Sequence, residues 1–363
     1  MSSLTEANVL QALRAVRDPD LHRDIVALNF IKDLTISGSD VSFSIELTTP
    51  ACPVKDEMKA QAEQAVRSSI PGVGAVNVTM TASVSQRANM QAAPVLTGVK
   101  NTIAVASGKG GVGKSTVAVN LALSLAREGA RVGLIDCDIY GPSIPLMFNI
   151  NEKPRLHDQK LVPLEKYGVK VMSIGFLIDS TQAVIWRGPM ASGAVKQFMT
   201  DVNWGELDYL VFDLPPGTGD IQLTIVQQIP LTGAVIVTTP QEMSLADARR
   251  GMAMFQKVNV PILGVVENMS YFVSASGERE NIFDNGGGKR VADQFSVPFL
   301  GEIPIYTKIR AGSDNGRPVT DAEPDSEPSR IFRTIAKNLA AQISISNFSK
   351  QSAPIEISLG SNN

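Results

Sequence analysis

SGKGGVGKST, residues 107–116, lies between a short apolar run at 102–106 and a stretch at 116–127 that carries Val117, Leu121 and Leu125 at helical spacing. Gly108, four residues, then Gly113, Lys114 and Ser115 form the pattern of a phosphate loop, and a strand before with a helix after is the context that pattern needs. The glycines let the backbone curl until its N–H groups converge on phosphate oxygens, and the start of the helix adds the positive end of its dipole. Lys114 then neutralises the β- and γ-phosphates, and the Ser115 hydroxyl ligates Mg²⁺. The expected nucleotide contacts are Gly108, Lys109, Gly110, Gly111, Val112, Gly113, Lys114, Ser115 and Thr116, with ATP and Mg²⁺ as cofactors and ATP hydrolysis as the activity.

Downstream of the loop, apolar runs recur at 132–135, 209–212, 234–237 and 262–266, with helical stretches between several of them. Such alternation predicts an α/β fold, a doubly wound, mostly parallel sheet with helices on both faces. Asp136 and Asp138 stand at the end of the next strand, where open α/β sheets place ligand-contacting residues, and their spacing of two puts them on the same side; turn-forming aspartates beside Gly141 and Pro142 are the alternative. Asp213 follows an apolar strand in YLVFDLPPGTGD, the position of a carboxylate that holds Mg²⁺ through water, and Gly217 and Gly219 leave the next loop free to rearrange around a γ-phosphate. Asn268 ends the strand in GVVENMS, where a cap or turn role is the plain reading.

Upstream, residues 4–16 read as a helix, Val41, Phe43, Ile45 and Leu47 alternate as a half-buried strand, 58–69 is helix-like, and Val76, Val78 and Met80 alternate again. Residues 1–85 are therefore expected to form a small α+β domain, 86–97 a linker, 98–345 the phosphate-loop domain and 346–363 a flexible polar tail. The 363 residues are 44% hydrophobic and 19% charged with a formal net charge of −3, the profile of an ordinary globular chain that gives nucleic acid and anionic membrane no support as partners. No apolar run approaches the ~20 residues needed to span a bilayer, and no signal or transit pattern opens the chain. A cytoplasmic location, or the soluble interior of an organelle, is expected. The two cysteines, Cys52 and Cys137, are far apart and lack the spacing of a disulfide framework or a zinc site. His22 and His157, without partners at ligand spacing, read as surface residues.

KGGVGKST resembles the deviant phosphate loop of the MinD, ParA and nitrogenase-iron-protein class. That resemblance implies that Lys109 reaches the nucleotide across a homodimer interface as a trans-acting catalytic charge, that Asp138 orients the attacking water, that Asp136 supports the Mg²⁺ shell and that Asn268 reads the adenine edge. SGKGGVGKST, DCDIYGPSIP, FDLPPGTGD, VENMSYF and GEIPI with IRAGSDNGRPV together resemble the Mrp-type iron-sulfur cluster carrier ATPases over about residues 98–341. DPDLHRDIVALNFIKDL and TTPACPVKDEM resemble the small SufT-like iron-sulfur assembly domain that precedes the ATPase in many of them. The resemblance implies a carrier that accepts a cluster from a scaffold and passes it to client apoproteins. IWRGPM, with Trp186, Arg187 and Gly188, matches a family stretch placed near the dimer contact, with ordinary packing as the equal alternative.

The chain departs from the family in one place: the CxxC pair usual after ENMS is absent, Ser274 and Ser276 stand in its neighbourhood, and a serine hydroxyl is a harder, un-ionised donor compared with thiolate. Cys52, in the Thr-Thr-Pro-Ala-Cys-Pro turn ahead of a helix, is the iron-sulfur candidate that the assembly-domain resemblance singles out, against a buried inert thiol. Cys137 reads as a small core residue. Two rivals stay open: a MinD- or ParA-like positioning ATPase, which the tail SISNFSKQSAPIEISLGSNN equips with neither an amphipathic helix nor a basic surface, and an assembly factor that hydrolyses ATP and carries no cluster.

Overall fold

The computed structural model describes residues 4–86, 95–177, 188–274 and 276–351. Their contacts divide the chain into two units, Met1–Thr48 with Val54–Asn89 and Ile343–Asn363, and Thr49–Pro53 with Met90–Gln342.

In the smaller unit, α1 (Glu6–Leu13) starts at Thr5, whose hydroxyl accepts the backbone N–H of Asn8 at 3.3 Å. β1 (Ile31–Ser37) pairs antiparallel with β2 (Asp40–Leu47), and after α2 (Lys55–Ser69) the chain returns as β3 (Val76–Ala82), parallel to β2 from Val41↔Val76 to Leu47↔Ala82. The alternation in β2 buries Val41, Phe43, Ile45 and Leu47, and α2 turns Met58, Ala62 and Val66 inward at helical spacing.

The larger unit begins with β4 (Val99–Ala106) and α3 (Lys114–Arg127), then β5 (Val132–Asp136) and the short α4 (Ile144–Phe148). A two-stranded ribbon, β6 (Leu156–His157) and β7 (Lys160–Leu161), precedes β8 (Leu164–Lys166) and β9 (Val169–Ser173). There follow α5 (Gly188–Thr200), β10 (Leu207–Asp213), α6 (Asp220–Gln228), β11 (Gly233–Thr238), α7 (Glu242–Lys257), β12 (Ile262–Val273) and β13 (Arg279–Glu280). The last elements are α8 (Gly287–Gln294), β14 (Phe299–Ile305), α9 (Thr307–Asp314), α10 (Val319–Ala322) and α11 (Glu327–Gln351). One sheet runs β13-β12-β11-β4-β10-β5-β9-β8 with β14 on β12, and only β8 and β13 pair antiparallel. Strands β5, β10 and β11 are buried throughout, and β4 is buried from Asn101 to Ala106, which is why they read as apolar runs instead of alternating ones. β10 is inserted between β4 and β5, and the chain then continues on the other side of β4. Ligands of open α/β sheets bind where the strand order reverses in this way, at the carboxyl ends of the strands.

Two details differ from the expected boundaries. Residues 49–53 group with the larger unit, where the Thr49 hydroxyl lies 3.0 Å from the buried hydroxyl of Tyr209. The expected polar tail begins as helix: α11 continues through Gln351, because Ala336, Leu339, Ile343 and Asn347 keep one buried face going through residues that look polar in a row, and the Asn347 amide donates to the Ser85 carbonyl at 3.0 Å.

Candidate nucleotide site

β4 delivers the loop and α3 begins at Lys114, with Gly113 as its N-cap in the left-handed region at φ 80°. A side chain there would be strained by the backbone and would also collide, since an added Cβ would sit 2.2 Å from the Asn268 amide nitrogen. Gly108 is needed for close approach: its Cβ would lie 2.2 Å from the Asp247 carbonyl of α7. The loop bounds a cavity of about 330 Å³ that is lined on the loop side by Lys109, Gly110, Gly113, Lys114, Ser115 and Thr116, and elsewhere by Asp138, Leu146, Met147, Pro216, Ser313 and Asp314.

Lys114 is buried, and its ammonium donates to Asp213 Oδ1 at 2.5 Å and to the Ser115 hydroxyl at 3.2 Å. Asp213 is the last residue of β10, fully buried, and its Oδ2 has no hydrogen-bond partner among the described residues. A buried carboxylate oxygen left without a donor is costly unless something cationic or hydrated meets it. The loop after β10 lies close to the phosphate loop, with Gly217 at φ 104° donating its N–H to the Ser107 carbonyl at 3.0 Å.

The two aspartates after β5 separate. Asp136 is wholly buried: Oδ1 accepts the Asp138 N–H at 3.1 Å, and Oδ2 accepts the Ile144 N–H at 3.3 Å and the Ser173 hydroxyl at 3.0 Å. It thereby ties down the turn that leads into α4. Burial, and after it the neighbouring charge of Asp213, pushes its carboxyl up to about 7, against the opposing pull of Lys114. Asp138 is half-buried and lines the cavity, and its carboxyl is raised chiefly by burial and lowered by Lys114. Cys137 between them is a core residue whose thiol burial drives well above its ordinary value, as its position in the sequence suggests.

Lys109 is exposed at the cavity and forms no ion pair among the described residues. Asn268, expected at the adenine edge, points its amide nitrogen at the Val112 carbonyl, 2.9 Å away, and so braces the phosphate loop from β12. His157 is exposed beside Asp158. Trp186 and Arg187 lie outside the described residues. Sequence reading missed Glu267, one residue before Asn268 and fully buried, whose carboxylate accepts the Ser270 hydroxyl at 2.6 Å and the N–H groups of Gly286 and Gly288 at 3.2 and 2.5 Å where α8 begins. The Gly-Gly-Gly run at 286–288 was its available signal: Gly286 takes φ 65°, and an added Cβ on Gly288 would sit 3.0 Å from the Glu267 side chain.

Two family models match this chain: the NUBPL iron-transfer P-loop NTPase over residues 98–340 and the iron-sulfur cluster assembly protein over residues 6–79. The chain belongs to the NUBPL-type P-loop NTPases. An iron-sulfur cluster carrier protein from Synechocystis sp. is 47% identical over 351 residues, which are 94% of this chain and 99% of that relative. A nucleotide-binding protein from Archaeoglobus fulgidus, solved in complex with ADP, is 42% identical and superposes with a TM-score of 0.57 over 63% of this chain and 91% of its own. The cell division ATPase MinD of Pyrococcus furiosus, 22% identical, shares the fold at a TM-score of 0.51 over 66% of this chain and 98% of its own. The doubly wound, mostly parallel fold read from the sequence, with its small preceding unit, is thus the fold of the family.

Within the NUBPL-type chain, the hairpin after Asn268 carries hydroxyls where thiols were looked for: Ser274 Oγ and Ser276 Oγ are 2.8 Å apart, and Ser276 donates to Glu278 at 3.4 Å. Cys52 is a buried thiol placed before Val54, the N-cap of α2, and so outside the first helical turn. No group of three or more His, Cys, Asp or Glu with metal-holding geometry occurs among the described residues.

Proposed function

We propose that this chain is an ATP-hydrolysing iron-sulfur cluster carrier that works as a homodimer, takes its cluster from an assembly scaffold and hands it to client apoproteins. The observation that carries this reading is the union, in one chain, of an iron-transfer NTPase unit at 98–340 and an iron-sulfur assembly unit at 6–79. The site chemistry supports the nucleotide half. Backbone N–H groups of 108–116 wrap the phosphates, and Lys114 exchanges its bond to Asp213 for the β- and γ-phosphates. The donor set suits hydrated Mg²⁺, a hard cation with oxygen ligands: the Ser115 hydroxyl, and the partnerless Oδ2 of Asp213 acting through water, with Asp136 supporting that shell. Bound there, the ion neutralises charge on the phosphates. Asp138 orients the attacking water from the cavity wall, and the exposed Lys109 reaches the nucleotide of a second copy. The same reading places the protein in the cytoplasm or the soluble interior of an organelle, without nucleic acid or membrane partners; among the described residues no helix is long and apolar enough to cross a membrane.

A second reading, an assembly factor that hydrolyses ATP without holding a cluster, is favoured by one observation, the serine hairpin at 274–276. Iron and sulfide content with the absorption spectrum, measured on protein reconstituted anaerobically as wild type and as Cys52→Ser, separates them. A cluster in the wild type that is lost in the variant supports a carrier using the Cys52 thiol. No cluster in either turns the function toward the assembly factor.

A further inference from the structure

The cavity wall formed by Ser313 and Asp314 comes from the last turn of α9 and has no part in the phosphate chemistry above. It is held firmly. Thr320, just beyond, donates through its N–H at 3.3 Å and its hydroxyl at 2.8 Å to Asn120 Oδ1, and the Asn120 amide donates to the Thr116 carbonyl at 2.8 Å, so this segment is fixed to the phosphate-loop helix itself. On its other side Gly316, at φ 67°, packs onto Asn149 so closely that an added Cβ would lie 2.3 Å from the Asn149 Cβ. The Tyr167 hydroxyl donates to the Gly316 carbonyl at 2.9 Å. Ser313 and Asp314 are thereby stationed between α3 and α4, in one cavity with Thr116.

Both side chains offer acceptors. The Ser313 hydroxyl is committed as donor to the Ile309 carbonyl at 3.1 Å, which leaves its lone pairs outward. Asp314 Oδ2 takes Arg310 at 2.5 Å, and Oδ1 has no other bond among the described residues. A carboxylate is repelled by phosphate oxygens and welcomes hydroxyl donors. The polyphosphate therefore belongs at the end with Lys109 and Lys114, with the α-phosphate at the helix start where Thr116 lies, and the sugar is the next unit along the ligand.

We propose that Asp314, assisted by Ser313, receives the ribose hydroxyls of the bound nucleotide and makes the site select ribonucleotides over their deoxy counterparts. This rests on the nucleotide reading of the same cavity. The test is calorimetric titration of full-length wild type and Asp314→Ala with Mg-ATP, Mg-2′-deoxyATP and Mg-3′-deoxyATP. Asp314 is exposed, so the variant folds; Ser313→Ala is the second variant. A hydrogen bond to a charged acceptor at an exposed site corresponds to about tenfold in affinity. Wild type should bind ATP about tenfold tighter than at least one deoxy analogue, and Asp314→Ala should lower ATP to the level of that analogue without changing the analogue itself, with a smaller loss in Ser313→Ala. Equal affinity of wild type for all three nucleotides, or an equal loss for all three in Asp314→Ala, overturns the sugar assignment alone. Wild type that binds none of them overturns the nucleotide reading beneath it.

Discussion

Gly113→Ala tests whether Asn268 braces the phosphate loop. The new Cβ would sit 2.2 Å from the Asn268 amide nitrogen, so that nitrogen has to retreat by more than 1 Å to reach the 3.4 Å at which ordinary contact begins. Its 2.9 Å bond to the Val112 carbonyl then lengthens past hydrogen-bonding distance. Two costs combine: a left-handed backbone imposed on an L-residue, about 1–2 kcal/mol, and a buried pair broken, about 1–3 kcal/mol. Gly113→Ala should therefore destabilise by about 2–5 kcal/mol, while Asn268→Ala, which breaks the pair without strain, should cost about 1–3 kcal/mol. In the double variant the pair is already lost and only the backbone term remains to be added. Its destabilisation should match that of Gly113→Ala to within about 0.5 kcal/mol and fall short of the sum of the two singles, the signature of residues in contact. Urea unfolding followed by tryptophan fluorescence reads this, since Trp204 is buried in the larger unit. Additive singles would refute the brace. A second readout separates bracing from base reading: Asn268→Ala should weaken Mg-ATP and Mg-GTP alike, whereas a loss confined to ATP would return Asn268 to the adenine edge.

Ser115→Ala and Lys114→Ala should abolish Mg-ATP binding in a titration, and near-normal affinity in Ser115→Ala would remove the metal-ligand role. Lys114→Ala also leaves the carboxylate of Asp213 buried without its cation, so it should lose about 3–5 kcal/mol of stability. Lys109→Ala should spare nucleotide binding by the monomer yet weaken dimerisation and turnover; unchanged ATPase activity would sink the cross-dimer role. For pH, burial holds the Asp136 carboxyl at about 7 in the fold against its ordinary value of 3.8. Between those values the native protein keeps a proton that the unfolded chain releases, so the group's contribution is most favourable at low pH and declines as pH rises through about 7. Urea midpoints of wild type relative to Asp136→Asn, taken without nucleotide or Mg²⁺, should fall from pH 5 to pH 8, and a difference that does not change with pH would contradict the burial argument.

The phosphate loop was legible because its chemistry and its local structure demand the same residues: glycines where φ is positive, a lysine and a hydroxyl where the helix begins. Buried parallel strands were equally legible, since a strand covered on both faces reads as an apolar run of four or five residues. The serine hairpin was visible too, as an absence. Beyond the ends of the strands, spacing stopped being informative. Asp136 and Asp138 were expected on one side because alternate residues of a strand share a face, but β5 ends at Asp136 and the chain turns at once. One carboxylate is sealed under the turn it organises while the other stays at the cavity wall.

The contact of Asn268 with Val112 and the length of α11 were not legible in the sequence, for the same reason. An amide at the end of β12 can cap, turn or meet a ligand, and its partner is settled by the phosphate loop 156 residues earlier passing within 2.9 Å. The stretch after Ala341 looks polar, yet it is helical because a residue on one face finds cover at every turn, down to an asparagine whose amide nitrogen donates to the Ser85 carbonyl. Local sequence thus states which chemistry a side chain can perform, and long-range packing selects among those options. The division also bears on function. Lys114, Ser115 and Asp213 have their proposed roles written into local motifs, whereas Asp314 lines the cavity on a segment held by long-range contacts, Thr320 to Asn120 and Gly316 against Asn149. Gly316 and Asn149 set the same wall from its other side, where their contact does not involve the phosphate loop.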